Sequence, residues 1–156
     1  MTFPEAGESA PDFEAVSETG ESIKLSDFRG QKVVLYFYPK ADTPGCTTQS
    51  CTFRDNYDKF QERGVVVLGA SPDTSEDQAA FKAKYNLPFT LIADADHAVS
   101  ELYGLWTTRE IEREGEKFQV TGTRRSTFII DENGMVTWSK FGVDPTTNTQ
   151  EVLDLL

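Results

Sequence analysis

Apolar and polar positions alternate along this chain with two periods, and the switches between them mark out its elements. The densest apolar run is Val33 to Tyr38 (VVLYFY), ended by Pro39. A run of this length rich in Val, Tyr and Phe reads as a buried strand. Val65 to Ala70 (VVVLGA) is a second such run, closed by Ser71-Pro72. Between them Cys51, Tyr57 and Phe60 recur on roughly one face of a helical pattern that runs out to Arg63-Gly64. A helix joining two buried strands predicts that they lie parallel.

The remaining pattern fills in around this unit. Residues 1–12 read as an arm. Phe13 to Val16 and Ser22 to Leu25 flank Glu18-Thr19-Gly20-Glu21, which predicts a hairpin. Ser26 to Gly30 reads as a short helical turn with a glycine stop. Thr74 or Ser75 caps a helix through about Tyr85, with Ala79, Phe81 and Tyr85 among its apolar positions. Phe89 to Ile92 is a short strand, and Asp96 to Tyr103 a helix stopped by Gly104. Residues 105–123 are polar and uneven, which predicts a loop with an edge strand at Lys117 to Thr121. Ser126 to Ile130 and Met135 to Phe141 flank the turn Asp131-Glu132-Asn133-Gly134. Gln150 to Leu156 is a docking helix. Strands alternating with helices, closed by a hairpin and a helix, predict an α/β sandwich around a mixed sheet. With no repeat, low-complexity tract or linker, residues 1–156 read as one domain.

Charge narrows the choice of partners. The net charge is −11. That argues against nucleic acid, whose binding rests on phosphate neutralisation by Lys and Arg, and against an anionic membrane surface. The N-terminus has neither a basic region nor an apolar run, so no secretory signal is expected. No stretch approaches the roughly 18 apolar residues that a spanning helix needs, so no helix is expected to cross a membrane, and a cytoplasmic location is expected. Two cysteines in such a chain favour catalysis or redox work over a structural bridge. They have the wrong spacing for structural zinc, and the single histidine, His97, is distant. There is no P-loop and no glycine-rich dinucleotide fingerprint, so electrons must come from a partner thiol and no bound cofactor is expected.

Both cysteines fall in one stretch, Pro39 to Arg54 (PKADTPGCTTQSCTFR), where the first buried strand hands over to its helix. In open α/β sheets sites are built at such junctions. Thr43-Pro44 reads as N-cap and first helical residue: threonine accepts from an orphan amide and proline has none to leave unsatisfied. Cys46 then falls in the first turn, where free N–H groups and the positive end of the dipole favour an anion. Cys51 lies five residues on. Two helical residues at that spacing differ by about 7.5 Å of rise and about 140° of rotation, so their Cα atoms are roughly 8 to 9 Å apart. That is beyond disulfide reach. Either the pair never bonds or the helix unwinds locally; we carry the second as a hypothesis.

The pattern Pro39-x3-Thr43-x2-Cys46, with a second cysteine five residues later, resembles the active-site signature of the peroxiredoxins. It is most similar to the subgroup called bacterioferritin comigratory protein or peroxiredoxin Q, and the likeness runs from APDF near the start to RSTFIID and beyond. The resemblance implies a thioredoxin-like fold with an N-terminal hairpin extension. It implies that Cys46 is the peroxidatic cysteine and Cys51 the resolving one. Thr43 would hold thiolate and peroxide through its hydroxyl, and Pro39 would shield the site from solvent. The family's late arginine aligns with Arg125, beside Arg124; period-2 alternation does not choose between the two. The implied reaction reduces hydrogen peroxide and organic hydroperoxides through a Cys46 sulfenic acid, resolved as an intramolecular disulfide and reopened by thioredoxin or a similar dithiol. A resolving cysteine in the same helix removes any chemical need for a dimer, which points to a monomer.

Two rivals use the same cysteines. A thioredoxin-type dithiol–disulfide oxidoreductase uses Cys-x-x-Cys and a proline before the facing strand; here the spacing is Cys-x4-Cys and no proline lies between Pro88 and Pro145. A non-enzymatic redox switch would need no peroxide pocket. Among other conspicuous residues, His97 is expected to be solvated, Trp106 and Trp138 to pack, and Asp94 to Asp96 and Glu110 to Glu116 to form solvated faces.

Overall fold

The structure, a computed structural model, describes residues 3–156; Met1 and Thr2, the first residues of the expected arm, lie outside the described residues. The expected central strand is β3 (Lys32–Phe37), buried from Val33 onward. Before it come β1 (Glu14–Ser17) and β2 (Ser22–Lys24), paired as the expected hairpin, and a single 3-10 turn over Leu25–Phe28. After it come α1 (Pro44–Asp55), α2 (Tyr57–Glu62), β4 (Val65–Ser71), α3 (Ser75–Tyr85), β5 (Thr90–Ala93) and α4 (Ala98–Leu102). The chain ends with β6 (Trp106–Arg113), β7 (Glu116–Thr123), β8 (Ser126–Ile130), β9 (Val136–Phe141) and α5 (Asn148–Leu155).

Seven strands form one sheet in the order β2-β1-β5-β4-β3-β8-β9. The strands β3, β4 and β5 are parallel, as the connecting helices require, while β8 runs antiparallel to β3 and β1 antiparallel to β5. It is the mixed sheet flanked by helices of the thioredoxin-like fold, with the β1–β2 hairpin added at one edge.

Period-2 alternation along β3 divides the core. Val33, Leu35 and Phe37 join Phe13, Leu25, Val99 and Tyr103 on one face of the sheet. Val34, Tyr36 and Tyr38 join Cys46, Phe53, Phe60, Phe81 and Val152 on the other, beneath α1, α2, α3 and α5. Tyr36 stands opposite Gly69 in β4, and a Cβ at Gly69 would come within 2.8 Å of its ring and hydroxyl. The missing side chain is what lets the Tyr36 ring lie flat across the sheet and donate to or accept from Ser50 of α1 at 2.8 Å. That bond ties the central strand to the cysteine helix.

The structure corrects several expectations. The helix after the cysteines is not continuous: it breaks at Asn56, whose side chain donates to the Thr52 carbonyl at 2.9 Å. In an unbroken helix that carbonyl takes the backbone N–H of residue 56, which here bonds Phe53 instead. Residues 105–123 form a two-stranded hairpin apart from the main sheet rather than a loop with one edge strand. Most of its side chains are exposed on both faces, so no apolar alternation announced β6. Its turn, Glu114-Gly115, has positive φ at both residues (53° and 80°), the geometry that suits a two-residue hairpin.

Asp94 is buried, not part of a solvated face. Its carboxylate accepts the Val99 and Ser100 N–H groups at 3.0 and 2.9 Å and so caps α4. His97 is half-buried: one face is stacked flat on Trp106, ring centroids 3.9 Å apart, while part of the ring meets solvent. Trp106 thereby packs, as expected, and Trp138 packs against the second core.

Candidate active site

The site is assembled where β3 ends and α1 begins. Thr43 stands at the N-cap with extended backbone, Pro44 opens the helix, and Cys46 is fully buried in the first turn. The first amides of a helix have no carbonyl within it, so they face the sulfur's surroundings as free donors. The Thr43 hydroxyl departs from the expected cap bond. It donates to the Lys40 carbonyl at 2.7 Å, which fixes its proton on the loop and leaves its lone pairs to accept.

Arg125 comes from the segment just before β8, and its position is set by pairing of β8 with β3. Its Nη2 lies 3.4 Å from Cys46 Sγ and its Nη1 donates to Gln49 Oε1 at 2.9 Å. Arg124 points elsewhere, its guanidinium 5.5 Å from the Phe141 ring centroid. The choice that alternation left open is therefore made by which arginine faces α1.

Three parts of this site escaped the sequence reading. Gln49, one turn on from Cys46, is buried and donates to Asn148 Oδ1 at 3.0 Å. Asn148 Oδ1 also accepts from the Thr127 hydroxyl at 2.8 Å, so α1, β8 and α5 meet in one hydrogen-bonded chain behind the guanidinium. The third is Gly45: a Cβ there would sit 3.1 Å from Arg125 Nη2 and 3.6 Å from Pro145. Gly45 and Gln49 had a signal, since both flank Cys46 within one helical turn. Asn148 and Thr127 had none.

Cys51 lies on the same unbroken helix, half-buried, and both cysteines are free thiols. Burial pushes the Cys51 thiol above its ordinary value, against the pull of Arg54 and with the help of Asp55. The Tyr36 phenol beneath the helix is likewise held far above its ordinary value by burial, the Ser50 hydrogen bond only partly offsetting it. Pro39 is exposed and lines a cavity together with Arg125, so it stands at the mouth of the site. Among the described residues no group of three or more His, Cys, Asp or Glu side chains is placed to hold a metal, and no helix is long and apolar enough to cross a membrane.

A buried sulfur facing a guanidinium and free helix amides suits nucleophilic attack in which negative charge develops beside the sulfur. Comparison with known proteins agrees. The AhpC/TSA family profile matches residues 6–139. The chain is 47% identical over 142 residues to the putative peroxiredoxin bcp of Coxiella burnetii, covering 90% of this chain and 91% of that one. It is 44% identical over 141 residues to the peroxiredoxin Bcp of Bacillus subtilis, covering 89% and 87%. Among solved structures it superimposes on the bacterioferritin comigratory protein of Xanthomonas campestris, described for its alkyl peroxide reduction activity, with a TM-score of 0.85 at 30% identity, covering 97% and 96%.

Proposed function

This chain belongs to the AhpC/TSA family, in the peroxiredoxin branch called bacterioferritin comigratory protein or peroxiredoxin Q, and from that premise we propose that it reduces hydroperoxides by a cycle confined to Cys46 and Cys51. The Cys46 thiolate attacks the terminal oxygen of ROOH, the O–O bond breaks, and RO⁻ leaves, taking up from water the proton that the thiol gave up on ionising and departing as ROH. Cys46 is oxidised to a sulfenic acid. Arg125, the Thr43 hydroxyl and the amides of the first turn are the donors and acceptors that orient the peroxide and stabilise the departing oxygen. The observation that carries this reading is the Arg125 guanidinium on the Cys46 sulfur at 3.4 Å within a helix first turn.

In the second step Cys51 attacks the Cys46 sulfenic sulfur, water leaves, and a disulfide forms. On an ideal helix the two Cα atoms are roughly 8 to 9 Å apart. The first turns of α1 must therefore unwind. Unwinding also removes the burial that keeps the Cys51 thiol protonated, so one motion supplies both reach and nucleophile. An exterior dithiol, thioredoxin or a similar protein, then exchanges with the exposed disulfide and restores both thiols. Because both cysteines belong to one chain, the cycle runs in a monomer, and its dithiol requirement fits the cytoplasm.

The test is peroxide consumption with thioredoxin and its reductase. Cys46→Ser is expected to abolish it. Cys51→Ser is expected to keep one stoichiometric oxidation and to lose recycling. Full turnover by the Cys46→Ser protein, or no Cys46–Cys51 bond by mass spectrometry after one equivalent of peroxide, overturns the reading. Turnover in excess of protein separates it from a redox switch, and failure to reduce insulin separates it from a thioredoxin-type oxidoreductase.

A further inference from the structure

The net charge of the chain is −11, yet beside the site three arginines and, among the described residues, no carboxylate line one cavity. A cavity of about 180 Å³ is walled by Pro39, Arg109, Thr123, Arg124, Arg125 and Val143. A second hollow of about 50 Å³, reaching toward Thr107 and Val120, shares Pro39, Arg109, Thr123 and Arg124 with it. Among the described residues, none of the three arginines is in a salt bridge. Arg124 Nε is buried and has no hydrogen-bond partner. An N–H donor buried without an acceptor is costly, and a guanidinium has no means of shedding its charge.

The cavity adjoins the reacting sulfur. Arg125 is its wall on one side and contacts Cys46 Sγ on the other. Asp144, outside the cavity, feels Arg125 and is held below the usual carboxylate range, chiefly by its hydrogen bonds to Thr146. Among the described residues Arg109 and Arg124 have no salt-bridge partner. Arg109 is carried into place by the β6–β7 hairpin, which contributes nothing to the main sheet.

From this geometry we propose that Arg109 and Arg124 form a carboxylate-binding subsite, and that the enzyme favours small hydroperoxides that carry a carboxylate. The subsite rests on the peroxidase reading above. Its size limits the substrate: about 180 Å³ is below the roughly 300 to 1,000 Å³ of a drug-sized site. The acid is therefore short. Its carboxylate lies between the Arg124 and Arg109 guanidiniums that line the cavity, and its hydroperoxide end lies past Pro39 toward Cys46. The chemistry at sulfur is unchanged: the O–O bond still breaks with release of the alcohol, which keeps its carboxylate.

The experiment compares tert-butyl hydroperoxide with 3-hydroperoxy-3-methylbutanoate, which share a tertiary hydroperoxide and differ by a carboxylate. The wild-type protein is expected to favour the acid through a lower KM, and added potassium chloride to narrow the preference. Arg109→Gln, an exposed substitution, should lower kcat/KM for the acid about tenfold or more while the neutral substrate stays within about twofold, since a charge-assisted bond is lost only with the acid. Arg109→Lys should recover part of the loss, and Arg124→Gln should show the same selectivity. Equal efficiency toward both substrates in the wild-type protein overturns the proposal, as does an equal loss for both in Arg109→Gln. So does a loss confined to recycling, seen as normal single-turnover oxidation with slow reduction, which would make the arginines a dock for an acidic reductant. Failure of the peroxidase reading is distinct: neither hydroperoxide would then be consumed.

Discussion

Gly45→Ala is the sharpest probe of the contact on which the chemistry depends. The added Cβ would lie 3.1 Å from Arg125 Nη2, tighter than ordinary van der Waals contact, so the guanidinium must withdraw by a few tenths of an ångström. It has little freedom to do so. Nη1 is held by Gln49 at 2.9 Å, and Pro145 stands 3.6 Å from the same Cβ. The movement lengthens the 3.4 Å contact of Nη2 with Cys46 Sγ. A hydrogen bond to a charged group is worth about 1.5 to 3 kcal/mol, so partial loss corresponds to roughly 3- to 30-fold in rate. Stability should move the other way, because alanine is favoured over glycine in a helix by up to about 1 kcal/mol, less in a first turn. The assay is stopped-flow oxidation by hydrogen peroxide beside urea unfolding. A folded variant with kcat/KM within about twofold of wild type would show that the arginine's approach to the sulfur is not needed for the reaction.

Three further outcomes are expected. Gly69→Ala forces a Cβ to within 2.8 Å of the Tyr36 ring and hydroxyl in a fully buried layer and should cost about 1 to 3 kcal/mol in urea unfolding; an unchanged midpoint refutes the packing argument. Tyr85 ties down both ends of α1, its hydroxyl donating to Asp42 at 2.9 Å and its carbonyl accepting from Arg54 at 2.7 Å. Lys84 Nζ holds the same carboxylate at 2.9 Å, so Tyr85→Phe combined with Lys84→Met releases the first tie and should speed Cys46–Cys51 disulfide formation a few-fold after one equivalent of peroxide; an unaltered rate means that the helix does not unwind from that end. Burial raises the Asp94 pKa in spite of its two backbone donors. The folded protein then binds this proton more readily than the unfolded chain, so the Asp94 contribution to stability falls as pH rises from about 4 through the raised value. The gap between wild type and Asp94→Asn should narrow from pH 4 to pH 7, and a widening gap refutes the sign.

Much of the molecule is legible in order along the chain. The runs at Val33 and Val65, the Thr43-Pro44 start, the Thr74 cap and the two main-sheet hairpins each depend on neighbouring residues, because propensity, capping and turn geometry are local forces. The pair Cys46 and Cys51 on one helix is visible for the same reason. What could not be read that way is what acts on them. Gln49 and Asn148 are far apart in sequence and meet only because α1 and α5 cover the same face of the sheet. Arg125 rather than Arg124 reaches the sulfur because pairing of β8 with β3 sets which side chain faces α1. The Asp94 cap and the β6–β7 hairpin are local as well, yet no apolar alternation marks them, because Asp94 bonds amides five and six residues on and the hairpin leaves most of its side chains exposed. Local pattern settles which pieces form. Contacts between distant segments settle which charges meet, because a charge acts on whatever the packing brings within a few ångströms of it.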